Sequence, residues 1–255
     1  EKEFQRIESD ISKVYDSIAK KFVNFEQIAE SDKMLVATFM SLQYLRGPYM
    51  RKQIQRMNEQ MIKQITKLHF GSSHIHKFFD QHEKETGEKL TEQQRNEVIE
   101  FAQKGEYRVE MGNAAHLHLI GEMEGFRNLL FGKEWQVYIS KSSKKFITSD
   151  NPVIELFPEW TGKFFYGPTF LQRTHQFSMT PDILIVATDP RNPPEIVKVK
   201  RKTLFDNKEH NEKILELNFQ HPRNAIAYAY ASSSDLLQDI VDSANLYDKQ
   251  QRRAS

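Results

Sequence analysis

The sequence predicts an α+β protein in which an N-terminal helical bundle packs on a mixed or antiparallel β-sheet with covering helices. Before residue 133, apolar residues recur every three or four positions, which is the spacing of amphipathic helices. From residue 135 they alternate with polar residues, which is the spacing of half-buried strands. Residues 1–132 are therefore the mainly helical half and residues 133–255 the sheet-rich half with a C-terminal helix. Because nothing marks a flexible linker, we expect one compact unit.

Three helices are predicted before residue 69. An apolar stripe runs from Phe4 to Phe25 at steps of three and four. Ser31 is a suitable N-cap for a second helix, which ends at Gly47, where we expect the left-handed conformation that glycine tolerates. Pro48 is tolerated at the first position of a third helix. Because each helix carries one apolar stripe, packing among the helices is favoured over binding of a partner.

The rest of the helical half is more polar. Residues 69–90 are rich in His and Lys, and we interpret them as a connection with a single helical turn. Thr91 begins a capping box, and its helix ends near Gly105. Asn113 is a suitable cap for a further helix that runs to about Phe131.

The stretch KKFITSDNPVIELF, residues 144–157, predicts two strands joined by a tight polar turn, that is, a hairpin. A strand is predicted before it at residues 135–139, and the continuous apolar centre of residues 182–188 indicates a strand buried on both faces. Asn207 begins a predicted helix and Ser234 caps the last one. Shorter strands are predicted at residues 164–166, 175–179 and 196–199, and residues 225–231 are either a last strand or the end of the helix that begins at Asn207.

Composition excludes several classes of protein. The chain has 255 residues, a net charge of +1 and no cysteine. Without cysteine there are no disulfides, iron–sulfur clusters, thiolate zinc sites or cysteine nucleophiles. The near-neutral charge provides no general attraction to nucleic acid. No run of about 18 apolar residues occurs, so we expect no membrane span and a cytoplasmic protein.

The polar turn carries the candidate catalytic residues Ser149, Asp150 and Asn151. Pro152 restricts the backbone of Asn151 to extended geometry, so the turn would present a carboxylate and an amide rigidly at the edge of the sheet. Such a pair can bind a metal ion, a phosphate group or a polar ligand. In the alternative interpretation, the same side chains only cap their own backbone.

Basic residues near the turn are the candidate substrate-binding groups. Arg46 ends the second helix and could pair with Asp150 or bind an anion. It could equally be an arginine that the helix dipole favours at a C-terminus. Lys144 and Lys145 could contact a phosphate backbone, or could protect an edge strand from aggregation.

A metal site is considered only at the carboxylates. His116 and His118 lie two positions apart, which places them on different faces of a helix. Asp150, with Glu155 five residues later, is the better candidate, since Mg²⁺ needs only one or two protein carboxylates. No P-loop, GxGxxG, GxSxG or HExxH motif is present.

The stretch FITSDNPV, residues 146–153, resembles the signature of an uncharacterised bacterial family, the domain of unknown function DUF4238. The resemblance implies the fold but no established activity. Members usually open with a histidine-tyrosine-x-proline stretch that is missing here, and because the chain begins at Glu1 rather than Met we expect that an upstream segment has been lost. Weaker matches lie at residues 45–48, 177–181, 217–218 and 227–230.

Two functions remain open from the sequence. The first is a hydrolase that acts on a phosphate-bearing substrate such as nucleic acid or a nucleotide. In it, Asp150 and Asn151 organise the site, Ser149 supports them and Arg46 binds the anion. The second is a non-catalytic ligand- or partner-binding regulatory module in which the SDNP turn is structural.

Overall fold

The structure is a computed structural model that describes residues 2–71, 75–110, 112, 114–157, 172–189 and 199–242. The predicted strand at residues 164–166, the start of the strand predicted at 196–199 and the predicted cap Asn113 lie outside these residues. Contacts within the chain define two units: Glu1–Met50 together with Leu117–Ser255, and Arg51–His116. The predicted boundary near residue 132 does not coincide with a boundary between these units; it marks the point in the chain where the first helices end and the strands begin.

The first unit contains a mixed five-stranded sheet in the order β3-β4-β5-β1-β6. Neighbouring strands are antiparallel except β1 and β6, which are parallel. A separate pair of short strands, β2 and β7, is antiparallel. The strands are β1 (Glu134–Ser140), β2 (Thr148–Ser149), β3 (Val153–Leu156), β4 (Thr174–Thr180), β5 (Ile183–Thr188), β6 (Val199–Leu204) and β7 (Ala229–Tyr230).

Helices precede and follow the strands along the chain. They are α1 (Lys2–Val23), α2 (Glu30–Arg46), α3 (Pro48–Phe70), α4 (Ile75–Thr86), α5 (Glu92–Lys104), α6 (Ala114–Gly121), α7 (Met123–Gly132), α8 (Lys208–Asn218) and α9 (Gln220–Asn224). Residues 234–242 are also helical. No helix in the described part of the chain is long and apolar enough to cross a membrane.

The five-stranded sheet has a hydrophobic cluster on each face. On one face, α1, α2 and α7 pack against alternate residues of β1, namely Trp135, Val137 and Ile139. On the other face, Ile214 of α8 packs with Leu184 of β5. This alternation of side chains along the strands is what the period of two predicts. The predicted α+β class is confirmed, and so is a buried central strand at β5.

The second unit contains α4 and α5. The capping box at Thr91 and the end of the helix near Gly105 are confirmed, and Gly105 is left-handed. The single helical turn predicted within residues 69–90 is wrong, because α4 has 12 residues. Ile75 and Phe79 are buried on one face of α4, while the polar residues that suggested a connection lie on its other faces.

Several predicted boundaries need correction. Gly47 is extended, with φ −60° and ψ 153°, so its expected left-handed conformation is wrong. The N-cap of α2 is Ala29 rather than Ser31, and the Asp32 carboxylate accepts the N–H of Ala29 at 3.0 Å. Likewise, Ser233 rather than Ser234 caps the last helix. The predicted helix up to residue 131 is divided between α6 and α7.

The predicted hairpin at residues 144–157 is also wrong. β2 pairs with β7, whereas β3 pairs with β4 in the five-stranded sheet. The three residues between the strands, together with Ser149 at the end of β2, therefore pass the chain from one sheet to the other. We call residues 149–152 the SDNP corner.

Candidate functional site

The SDNP corner is held by its own serine. The Ser149 hydroxyl donates to the carbonyl oxygen of Asn151 at 2.9 Å, and the Asn151 N–H donates to Ser149 Oγ at 3.2 Å. Both residues are buried. A side chain that bonds the backbone two residues away fixes a turn of this kind. The catalytic role suggested for Ser149 stays a prediction, and its contacts here stabilise the turn.

Asp150 joins the corner to the segment that follows α9. Its two carboxylate oxygens accept the N–H groups of Ile226 at 2.9 Å and Ala227 at 2.8 Å. Its own N–H donates to the carbonyl of Tyr228 at 3.0 Å. Among the residues that the structure describes, no three His, Asp or Glu side chains are grouped so as to hold a metal ion. Binding of Mg²⁺ at Asp150 stays a prediction.

Asn151 brings the corner to the junction of α2 and α3. Its side chain is 3% exposed, and Nδ2 donates to the carbonyl of Asn224 at 3.4 Å. Oδ1 has no hydrogen-bond partner within the described ranges. A Cβ at Gly47 would lie 3.4 Å from this Oδ1 and 3.2 Å from the carbonyl of Gln43. Glycine is therefore suited to this position because of the close approach.

A buried carboxylate, Glu155, is the third residue of β3, which follows the corner directly. Glu155 Oε1 accepts the Tyr44 hydroxyl at 2.6 Å, and Arg173 Nη1 donates to Oε1 at 3.1 Å and to Oε2 at 2.9 Å. His175 Nε2 lies 3.5 Å from Oε1. The β3–β4 register pairs Glu155 with His175, so both side chains lie on the face that packs against α2. We call these four residues the Glu155 cluster.

Burial and pairing together set the protonation states in this cluster. Burial by itself would raise the pKa of Glu155, but hydrogen bonds from His175 and Tyr44 and the charge of Arg173 outweigh it and lower the pKa. Burial lowers the pKa of His175, and burial with the neighbouring Glu155 raises that of Tyr44. At neutral pH the cluster therefore contains an ionised carboxylate, a neutral imidazole and a neutral phenol.

Two buried lysines extend the network behind the cluster. Lys133 Nζ donates to the carbonyl of Arg173 at 2.8 Å, and Lys33 Nζ donates to the carbonyl of Lys133 at 2.8 Å. Lys33 also lies 5.2 Å from the centre of the Trp135 ring. Burial lowers the pKa of each lysine to about 8. Their contacts hold the start of β4, and with it Arg173, against the sheet.

A small polar cavity adjoins both the corner and the cluster. Its volume is about 20 Å³. Phe157, which is 52% exposed, contributes to its lining, and Arg173 stacks on this ring at 5.0 Å. The cavity is lined by Tyr44, Tyr49, Asn151, Val153, Glu155, Phe157 and Asn224.

The basic residues predicted for substrate binding do not line this cavity. Arg46 is exposed, and its guanidinium donates to Gln43 Oε1 at 3.1 Å. Lys144 forms an ion pair with Asp239 at 2.7 Å, and Lys145 forms one with Asp182 at 2.6 Å. The structure therefore brings Asn151 and Glu155 to one cavity, and binding of a substrate by these three cations stays a prediction.

Sequence reasoning considered Glu155 but missed the other members of its cluster. His175 has a usable signal, because alternation with Phe177 places it on the buried face of a strand, where an ionisable side chain is rare. Tyr44 is flanked by apolar residues on a buried helix face. Arg173 has no local signal, since its partner is 18 residues away.

Comparison with known proteins identifies a family and no individual relative. A family model described as "Protein of unknown function (DUF4238)" matches residues 1–235. No curated protein and no solved structure matches the chain. The matched range contains the SDNP corner, the Glu155 cluster and the cavity.

Proposed function

The chain belongs to the DUF4238 family of proteins of unknown function, and we propose that it is a hydrolase that acts on a phosphate-bearing substrate, such as nucleic acid or a nucleotide, with Glu155 as the general base. One observation supports this most: a buried, ionised carboxylate lies beside a polar cavity, with an arginine paired to it. Buried groups with shifted pKa values are concentrated at functional sites.

The pairing of Glu155 keeps the carboxylate ionised and leaves part of it free to accept a further hydrogen bond. An ionised carboxylate offers about four acceptor positions. Tyr44, Arg173 and His175 all contact Oε1, whereas Oε2 accepts from Arg173 alone among the described residues, which leaves acceptor capacity on Oε2. Since its pKa is lowered, Glu155 stays in the basic form at neutral pH.

Arg173 supports a substrate that carries phosphate. Its side chain is 28% exposed, so it combines a fixed contact to Glu155 with access from solvent. It stacks on Phe157, which lines the cavity, and so places a cation next to a wall of the cavity. A planar guanidinium matches the geometry of phosphate oxygens. In this proposal Arg173 contacts the anion, and Ser149 and Asp150 hold the corner in position.

The test is a turnover screen with defined phosphate esters. The substrates are p-nitrophenyl phosphate, bis(p-nitrophenyl) phosphate, nucleoside triphosphates, and single-stranded RNA and DNA, each with and without Mg²⁺. We expect hydrolysis by the wild type and a loss of at least about 100-fold in Glu155→Gln, since loss of a general base typically costs 10²–10⁴-fold. Glu212→Gln, at an exposed carboxylate of α8, is the matched control and should retain full activity.

The alternative, a non-catalytic binding module, is favoured by a different observation. Asp150 uses both carboxylate oxygens to bind backbone N–H groups, as a purely structural turn would. The two functions differ in outcome. If calorimetry shows that a nucleotide binds without being hydrolysed, and that Glu155→Gln still binds it, the result would support the binding module and contradict the hydrolase.

A further inference from the structure

The cavity next to the SDNP corner has the size and polarity of a site for one water molecule. A cavity needs roughly 10–15 Å³ to hold a water, which should have two to four polar partners. This cavity has about 20 Å³, which is too small for a phosphate group. Its polar lining comes from Tyr44, Tyr49, Asn151, Glu155 and Asn224.

Asn151 provides the second, independent observation. Its side chain is 3% exposed and lines the cavity, yet its Oδ1 has no hydrogen-bond partner among the residues described. Leaving a buried acceptor unsatisfied costs about 1–3 kcal/mol, so buried oxygens of this kind are normally paired with protein or water. The amide orientation is fixed by Nδ2, which donates to the Asn224 carbonyl at 3.4 Å. A flipped amide would place two oxygens against each other.

We propose that this cavity binds the attacking water of the reaction, which donates one hydrogen to Asn151 Oδ1 and the other to Glu155. The inference rests on the proposed hydrolase function and assigns Asn151 a catalytic role. A water held by two acceptors has its oxygen lone pairs directed away from both. Tyr49 also lines the cavity, and in this proposal its hydroxyl donates to that oxygen and holds the water before attack.

The chemical step follows from this placement. The water oxygen forms a bond to phosphorus while its proton passes to the Glu155 carboxylate. The bond between phosphorus and the leaving oxygen breaks, and that oxygen keeps the electron pair and takes a proton from solvent. Glu155 then releases its proton to solvent, which restores the carboxylate. Because the cavity is too small for the phosphate, the phosphate stays outside it beside Arg173. Water attacks directly, and no covalent intermediate with the protein forms.

The experiment combines a high-resolution crystal structure with kinetics of three variants. In the wild type we expect ordered density within hydrogen-bonding distance of both Asn151 Oδ1 and Glu155. Asn151→Asp keeps the acceptor and should keep this density, whereas Asn151→Leu removes the acceptor and should lose it. Tyr49→Phe keeps the buried acceptors and gives a second measurement if Asn151→Leu does not fold.

With bis(p-nitrophenyl) phosphate as probe, Asn151→Leu should lower kcat about 100-fold and change KM by less than about threefold. Tyr49→Phe should also lower kcat rather than raise KM. Methanol added to the assay should give no methyl phosphate ester, since no covalent intermediate is available to transfer.

The outcomes separate this inference from the proposed function. If the cavity contains an ordered water but no phosphate ester is turned over, the hydrolase function is refuted and only the presence of the water site is supported. Three results would overturn the role of the water but not the hydrolase function. They are turnover by a wild type whose cavity holds no water, unimpaired turnover in Asn151→Leu, and transfer of the phosphoryl group to methanol.

Discussion

Removal of Arg173 is the most direct test of the ion pair at the centre of the site. In Arg173→Met the Glu155 carboxylate, whose side chain is 5% exposed, loses its cationic partner. Breaking a buried pair in this way typically costs about 3–5 kcal/mol. Because Arg173 is 28% exposed, water screens part of the interaction, and we take the lower end, about 3 kcal/mol. For a unit of this size that lowers Tm by roughly 6–12 °C.

The decrease in stability that Arg173→Met causes should depend on pH in a defined direction. In the wild type the pKa of Glu155 is lowered on folding, so its contribution to stability is present above the ordinary carboxyl range and is lost as pH falls through the folded pKa. Arg173→Met removes the positive charge that helps to lower this pKa, so the carboxyl is protonated at a higher pH than in the wild type, and protonation relieves the penalty. We therefore expect the difference in Tm to shrink between pH 7.5 and pH 4.5.

The assay is thermal unfolding followed by circular dichroism at both pH values. Arg127→Met is the matched control, because Arg127 is 27% exposed but pairs with Glu124, which is 76% exposed. An exposed pair contributes less than about 1 kcal/mol. Equal stability of Arg173→Met and the wild type, or a deficit that does not change with pH, would refute an ionised, buried Glu155.

Three further predictions follow from other contacts. Gly47→Ala places a methyl group 3.2 Å from the Gln43 carbonyl oxygen and should destabilise the fold by about 1–3 kcal/mol, measured by urea unfolding, although its φ of −60° suits alanine. Asp150→Ala leaves two backbone N–H groups without their acceptor and should cost about 1–3 kcal/mol by the same assay, whereas Asp239→Ala, at an exposed residue, should cost less. Lys133 has a pKa lowered to about 8, so the folded state binds fewer protons than the unfolded state and stability should rise from pH 8 towards 10. Lys133→Met should weaken that rise in a pH series of Tm values, and a profile identical to the wild type would contradict the assignment.

Local sequence signals predicted much of the secondary structure. The capping box at Thr91 and the N-cap at Asn207 begin helices as expected, because each depends on side chains within three residues of the backbone that they cap. Gly47 was recognised as a helix end, but its conformation was predicted wrongly. A Cβ at this position would lie 3.2 Å from the Gln43 carbonyl and 3.4 Å from Asn151 Oδ1, and the second neighbour comes from a distant part of the chain.

The pairing of strands could not be predicted in the same way. Residues 148–149 and 153–156 look like the arms of a hairpin because a polar turn joins them. Each instead pairs with a strand distant along the chain, β7 for the first arm and β4 for the second. Strand pairing is decided by which edges are available in the folded sheet, and a local pattern contains no information about those edges.

The sequence by itself determined where helices and strands lie, which face of most elements is apolar, and that residues 149–152 form a rigid polar corner. Only the tertiary structure decided the chemistry beside that corner. Tyr44 lies 111 residues before Glu155, and His175 reaches it through the β3–β4 register. A side chain's burial and charged neighbours depend on the packing of distant elements, and it is these that set the protonation state of Glu155.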